Sequence, residues 1–246
     1  MPGATKPEPR VLRAADSEAQ AVMLAAAIAA DLAAALARRP YASLVVSGGR
    51  TPAPMFAYLA EQGIDWRRVQ ITLADERWVG ADDPASNELL VRASLLRERA
   101  SAAQLTGLKN DAPTPGAGAA RAWSGISAIA QPFDVVVLGM GDDGHTASLF
   151  PGSAGLHAAL DPKALPACVA MEPREAPHAR LSLNLAALLH SRRICILISG
   201  AHKWQVYQRA MAEGPVEELP VRAILCQRSV PVDIYWCPDG AATGAS

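Results

Sequence analysis

None of the four cysteines, Cys168, Cys195, Cys226 and Cys237, forms a C-x-x-C pair with another. Their spacing therefore offers no dithiol or zinc motif, and buried free thiols in a reducing compartment are the expectation. Basic stripes are also missing. The 23 lysines and arginines nearly balance 24 aspartates and glutamates, which argues against a nucleic-acid partner. The one long apolar stretch near the start, Ala21 to Leu36, is mostly alanine and is interrupted by Asp31. It is read as too short and too weakly hydrophobic to span a bilayer. With no secretory signal ahead of it, a cytoplasmic protein without a membrane partner is expected. The G-x-x-x-x-G-K-[ST] phosphate loop and the G-x-S-x-G nucleophile turn do not occur, and His157, His178, His190 and His202 show no H-x-x-x-H pairing. Nucleotide P-loop, serine-nucleophile and paired-histidine metal chemistries lose their usual signals.

What is present is a soluble globular pattern. Half of the 246 residues are apolar, and a single domain of that length buries roughly 70–75% of its unfolded surface. Ser17 with Gln20 predicts a capping box opening an alanine-rich helix to about Arg39, before Pro40. Strands are predicted at Leu44 to Val46, Val69 to Leu73, Leu105 to Leu108, Cys168 to Met171 and Ile194 to Ile198. Val221 to Leu225 and Val232 to Trp236 are predicted to close the sheet, and Arg180 to Leu183 alternates. Helices are expected from Ser86 through Leu96, about Ala119 to Ala130, near Leu185 to Leu189, and from Trp204 to about Ala212. Asn110 to Gly118 is Pro- and Gly-rich and reads as a loop. Alternating strands and helices predict an α/β fold, one mostly parallel sheet with helices on both faces.

The rest is organised around Val135 to Gly152, VVVLGMGDDGHTASLFPG. A buried strand, Val135 to Leu138, runs into a turn holding Gly139, Gly141 and Gly144, with Asp142, Asp143 and His145 inside it. Thr146 to Leu149 look like the first turn of a helix. Open α/β sheets place ligands at the carboxyl ends of their strands, so His145 is the candidate base. Gly139 to Gly144 matches G-x-G-x-x-G, but two aspartates would repel a pyrophosphate and no strand ending in an acid follows at the right distance. A dinucleotide cofactor is therefore not expected. Ser47-Gly48-Gly49-Arg50-Thr51-Pro52 after its own strand has the form that points backbone N–H groups at an anion. Asp75-Glu76-Arg77-Trp78, taken alone, reads as a solvated loop. In a parallel sheet the strand ends at Ser47, Asp75, Gly139 and Ser199 converge, gathering Arg77, Lys203, hydroxyls, carboxylates and His145. Such a crevice suits a small anionic ligand, above all a phosphate ester.

Three blocks then carry a resemblance: Ser47 to Pro52, Asp75 to Val79, and Gly139 to Gly152, with weaker support from Arg180 and from Ser199 to Lys203. The chain resembles the 6-phosphogluconolactonases within the glucosamine-6-phosphate deaminase/lactonase group, from about Arg10 to Pro238. The resemblance implies a single modified Rossmann-like domain over 10–238; the polar, proline-rich start and small-residue tail leave 1–9 and 239–246 as expected flexible termini. The resemblance also implies hydrolysis of 6-phospho-D-glucono-1,5-lactone in the oxidative pentose phosphate pathway, without metal or organic cofactor. By the same resemblance His145 is the catalytic histidine, supported by a carboxylate among Asp75, Asp142 and Asp143. Ser47, Gly48, Gly49 and Thr51 form the phosphate turn, and Arg77, Arg180 and Lys203 contact the anionic end of the substrate. Phe150 stands where the related deaminases carry a glutamate, which favours the lactonases over the deaminases. The only partner expected is the sugar-phosphate substrate, for a monomer or weak homo-oligomer.

Overall fold

The computed structural model describes residues 8–49, 51–173 and 177–238. Arg50 and nearly all of the two termini expected to be flexible lie outside the described residues. In chain order the elements are β1 (Arg10–Arg13), α1 (Ser17–Leu36), β2 (Ala42–Val46), α2 (Ala53–Ala60), β3 (Val69–Leu73) and β4 (Asp75–Arg77). There follow α3 (Asn87–Ser94), β5 (Gln104–Thr106), α4 (Pro115–Ser127), β6 (Val135–Gly139), α5 (Leu156–Ala159) and β7 (Cys168–Met171). The chain ends with β8 (Arg180–Leu183), α6 (Leu185–Leu189), β9 (Ile194–Ser199), α7 (Gly200–Met211), α8 (Val221–Leu225) and β10 (Val232–Cys237).

Seven strands form a wholly parallel sheet in the order β1-β10-β9-β6-β2-β3-β5. Its central strands are buried, β2 throughout and β6 up to Gly139 at the pocket, as a parallel sheet covered by helices requires. From β2 the chain progresses outward through β3 to β5, and from β6 it progresses the other way through β9 to β10. The switch point therefore lies between β2 and β6, and the crevice beyond their carboxyl ends is where such folds bind ligands. The Ser47 turn and the Gly139 turn flank it.

Helix α1 supplies one wall. Leu24, Ile28 and Leu32 are fully buried, each contributing about 1.5–3 kcal/mol. The helix packs on α2 and on β2, β6 and β10. An 18-residue window of α1 reaches a mean hydropathy of 1.8, long and apolar enough to cross a membrane by length and composition alone, and here the helix is a core element packed on the sheet. The expected capping box is corrected. Asp16 caps α1 by accepting from Ala19 N, and Gln20 is buried, donating from Nε2 to the carbonyls of Ile198 and Tyr235 at 2.8 and 2.9 Å. A side chain that satisfies two strand-end carbonyls is worth more inside the fold than at a solvated helix start.

Other local expectations change with tertiary context. Val221 to Leu225 is a helix, not a strand, since a short apolar run does not distinguish the two. Its Arg222 donates to the carbonyls of Ala210, Arg209 and Pro215, closing the end of α7. Thr146 to Leu149 is not helical. Ala147 takes a positive φ of 48° there, Thr146 Oγ1 donates to Gly139 O, and the next helix waits until Leu156. Helix α4 begins inside the predicted loop, with Thr114 as its cap and Pro115 in its first turn. The edge strand β1 has no apolar run to announce it.

Asp75-Glu76-Arg77 corrects the solvated-loop reading. The segment is a strand, β4, in a second sheet of order β4-β8-β7, antiparallel throughout. Asp75 and Glu76 are buried. Glu76 faces the start of α3, where its two oxygens accept from the backbone N–H groups of Arg77, Asn87 and Glu88 and from Ser86 Oγ. Burial pushes its carboxyl pKa up and nearby Asp75 adds to that, while the three backbone donors pull the other way. The small sheet thus anchors one side of the crevice.

Candidate active site

The crevice at the switch point is a pocket of about 850 Å³. Each sequence-predicted strand end contributes to it: Ser47, Gly48, Gly49 and Thr51 after β2, Asp75 and Arg77 from β4, Gly139 to Asp142 and His145 after β6, and Ser199 to Lys203 at β9 and α7. Arg180 enters from β8. The convergence expected from parallel topology is present.

His145 is held from several sides. Its Nδ1 lies 2.6 Å from Asp143 Oδ1, which also accepts from His145 N at 3.0 Å. A carboxylate only accepts, so Nδ1 carries the proton and Nε2 is left as the basic nitrogen. Burial would raise the Asp143 pKa, but the hydrogen bond and charge of His145 outweigh it and hold the carboxyl below its ordinary value. The Phe150 ring lies 4.2 Å from the imidazole, centroid to centroid, tilted by 35°. Gly141 allows the approach from another side, since a Cβ there would lie 2.1 Å from Nδ1. Of the three carboxylates considered, Asp143 alone bonds the histidine among the described residues. Asp75 Oδ2 accepts from Ser148 Oγ at 2.5 Å, and Asp142 lies 3.9 Å from His202 Nε2 across the mouth.

The basic groups line the same pocket. Arg77 and Arg180 are directly opposed in the antiparallel β4–β8 pair, a like-charge juxtaposition that costs free energy unless an anion comes between. Arg77 Nη1 donates to Ala85 O at 2.6 Å. Arg180 is 6% exposed, and its Nη1 has no hydrogen-bond partner among the described residues. Burial pulls its pKa down, with the charge of Arg77 adding to that and Asp75 and Glu76 opposing. Lys203 Nζ reaches back to donate to Met140 O at 2.5 Å. Ser47 Oγ is a further buried polar atom without a partner. Helices α2 and α7, which both start at the pocket, have no side-chain cap, whereas α1, α3, α4 and α6 do. Uncapped N–H groups beside three cations make an electropositive wall.

Two residues of this site escaped the sequence reading. Ser148 ties Asp75 to the His145 turn, and Asn87, the first residue of α3, donates from Nδ2 to Asp75 O at 2.8 Å. Only the cap Ser86 gave a signal nearby. Among the described residues no group of three or more His, Cys, Asp or Glu side chains is placed to hold a metal ion.

Comparison with known proteins agrees with this geometry. Residues 15–236 match the family model described as glucosamine-6-phosphate isomerases/6-phosphogluconolactonase. A 6-phosphogluconolactonase of Pseudomonas putida is 40% identical over 238 residues, covering 97% of this chain and 95% of the relative. One from Rhizobium meliloti is 42% identical over 220 residues, covering 89% and 95%. The crystal structure of a 6-phosphogluconolactonase from Shewanella baltica superposes with a TM-score of 0.90 at 49% identity, covering 94% of this chain and 98% of that one. A monomeric glucosamine-6-phosphate deaminase shares the fold with a TM-score of 0.73 at 19% identity, covering 92% of this chain and 96% of that one. A family match across nearly the whole chain and relatives at this identity leave one conclusion: the chain belongs to the glucosamine-6-phosphate isomerase/6-phosphogluconolactonase family.

Proposed function

We propose that the pocket hydrolyses 6-phospho-D-glucono-1,5-lactone to 6-phosphogluconate, with His145 as the general base. The observation that carries this is the Asp143–His145 pair, whose Nδ1 is taken by Asp143, in one pocket with Arg77, Arg180 and Lys203. The names of relatives about 40% identical over most of the chain support the substrate. Water attacks the lactone carbonyl at C1 while Nε2 takes its proton. As the bond from C1 to the ring oxygen breaks, the imidazolium returns a proton to that oxygen, and the product acid ionises. Asp143 fixes the tautomer and stabilises the imidazolium. Asp75, bound to Ser148, supports the floor of the site and offsets the charge of Arg180.

The phosphoryl end is assigned to the Ser47–Thr51 turn with Arg77, Arg180 and Lys203. Phe150 lies against the imidazole, and Asp143 is the one carboxylate bonded to it among the described residues, which suits a single proton shuttle through Nε2 rather than a relay. The test is turnover of freshly generated 6-phosphogluconolactone, measured as acid release above the spontaneous rate. A rate equal to spontaneous hydrolysis would refute the proposal.

A further inference from the structure

The pocket wall holds a hydrogen-bond acceptor that the hydrolysis above does not use. Asn87 is 2% exposed, and its Oδ1 has no partner among the described residues. Which end of its amide is the oxygen is fixed by chemistry. The other end lies 2.8 Å from Asp75 O, and a carbonyl only accepts, so that end is the NH₂. The orphan is therefore an acceptor. A phosphate or a carboxylate, which present acceptors, cannot satisfy it, whereas a hydroxyl can.

Its position is rigidly set. Glu76 accepts from the backbone N–H groups of Asn87 and Glu88, pinning the start of α3 to β4. Oδ1 lies against the Ser47–Gly49 turn, where a Cβ on Gly48 would come within 1.9 Å of it. Gly48 has no positive φ to explain it, so close approach by Asn87 accounts for the glycine. On the same wall Arg180 Nη1 is an orphan donor. A buried acceptor and a buried donor on one wall match a ligand that carries hydroxyls as well as anionic oxygen. Leaving a buried polar group unpaired is costly, and sites built to bond a hydroxyl discriminate strongly against analogues lacking it.

We propose that Asn87 is a specificity-determining residue whose Oδ1 accepts a hydrogen bond from one ring hydroxyl of the substrate. This deepens the lactonase reading and rests on it. The test is a cycle between Asn87→Ala and the 2-, 3- and 4-deoxy analogues of the phosphorylated lactone. Asn87→Ala should lower kcat/KM on the parent lactone by about 10–100-fold, the range for an unpaired buried group. One deoxy analogue should lose a similar factor with the wild type and show little further loss with Asn87→Ala. Asn87→Asp, which keeps an acceptor at this position, should retain the discrimination better than Asn87→Ala, and circular dichroism checks that both variants fold. Equal fractional losses on the parent and on all three analogues would overturn the assignment. The same cycle read by calorimetry on 1,5-anhydroglucitol 6-phosphate and its deoxy forms, which keep the ring hydroxyls and have no lactone bond, tests Asn87 without turnover, so its failure is distinguishable from failure of the lactonase reading.

Discussion

Glu76 should be the most stability-sensitive carboxylate at the site, and Glu76→Gln is its test. The side chain is fully buried. Oε1 accepts from Arg77 N at 2.7 Å and Asn87 N at 2.8 Å, and Oε2 accepts from Glu88 N at 2.8 Å and Ser86 Oγ at 3.2 Å. Glutamine replaces one oxygen by a donor. The least damaging choice turns NH₂ toward Ser86, whose hydroxyl can accept, and this still leaves Glu88 N facing a donor. Losing that bond and the charge assistance of the others costs about 1–3 kcal/mol, and relief of the buried charge offsets part of it. A net loss of about 2 kcal/mol lowers Tm by roughly 4–8 °C in a chain of this size. The pH dependence has a definite sign. Burial raises the carboxyl pKa, so the folded state binds more protons than the unfolded one just above the ordinary glutamate value. The contribution of Glu76 therefore falls as pH rises through that window, and Glu76→Gln should remove this slope. Differential scanning calorimetry from pH 4 to pH 8 reads both effects (about 4 is the ordinary carboxylate range). A Tm within about 1 °C of wild type would show that the bonds to α3 do not hold β4 in place.

The other predictions concern the site itself. Lys203→Ala should raise KM for the phosphorylated lactone with little change in kcat, because its contact forms in ground and transition states alike. Unphosphorylated gluconolactone should be poorer by orders of magnitude, since each charged hydrogen bond lost is worth about 1.5–3 kcal/mol, and equal efficiency on both lactones would remove the basic wall from binding. Asp143 is held below its ordinary pKa by His145 against the effect of burial. That stabilisation is present above the unfolded value and lost as pH falls through the folded one. In His145→Ala the Asp143 carboxyl, followed by carbon NMR, should titrate higher, and an unmoved titration would contradict the pairing. Dialysis against a strong chelator should leave lactone turnover unchanged; loss restored only by a divalent ion would replace the water-activation step proposed for His145.

Much of the scaffold was legible because a buried parallel strand writes itself as an unbroken apolar run. Val135 to Leu138 and Ile194 to Ile198 are fully inside the sheet, and the glycine turns after β2 and β6 marked the crevice. The small antiparallel sheet was not legible. Nothing in Asp75-Glu76-Arg77 signals burial, because its partners, the α3 amides and β8, lie elsewhere in the chain. Val221 to Leu225 was ambiguous for a different reason: five apolar-rich residues fit either period, and Arg222 bonding the end of α7 decided it. At the pocket, the residues named from motifs line it, while those brought by packing gave no signal. Asn87 looked like the first residue of an ordinary helix, and Gly48 looked like turn chemistry when the space it leaves is filled by Asn87.

The most direct test of the account is the pH profile of kcat for His145→Asn beside wild type. Asparagine keeps similar bulk and removes the base. The expected result is a fall in kcat of roughly 10²–10⁴ with little change in KM. The acid-side limb of the wild-type profile should vanish in the variant, because protonation of Nε2 is what produces it. A variant with near-normal kcat and the same acid limb would contradict the account and assign the base to a carboxylate.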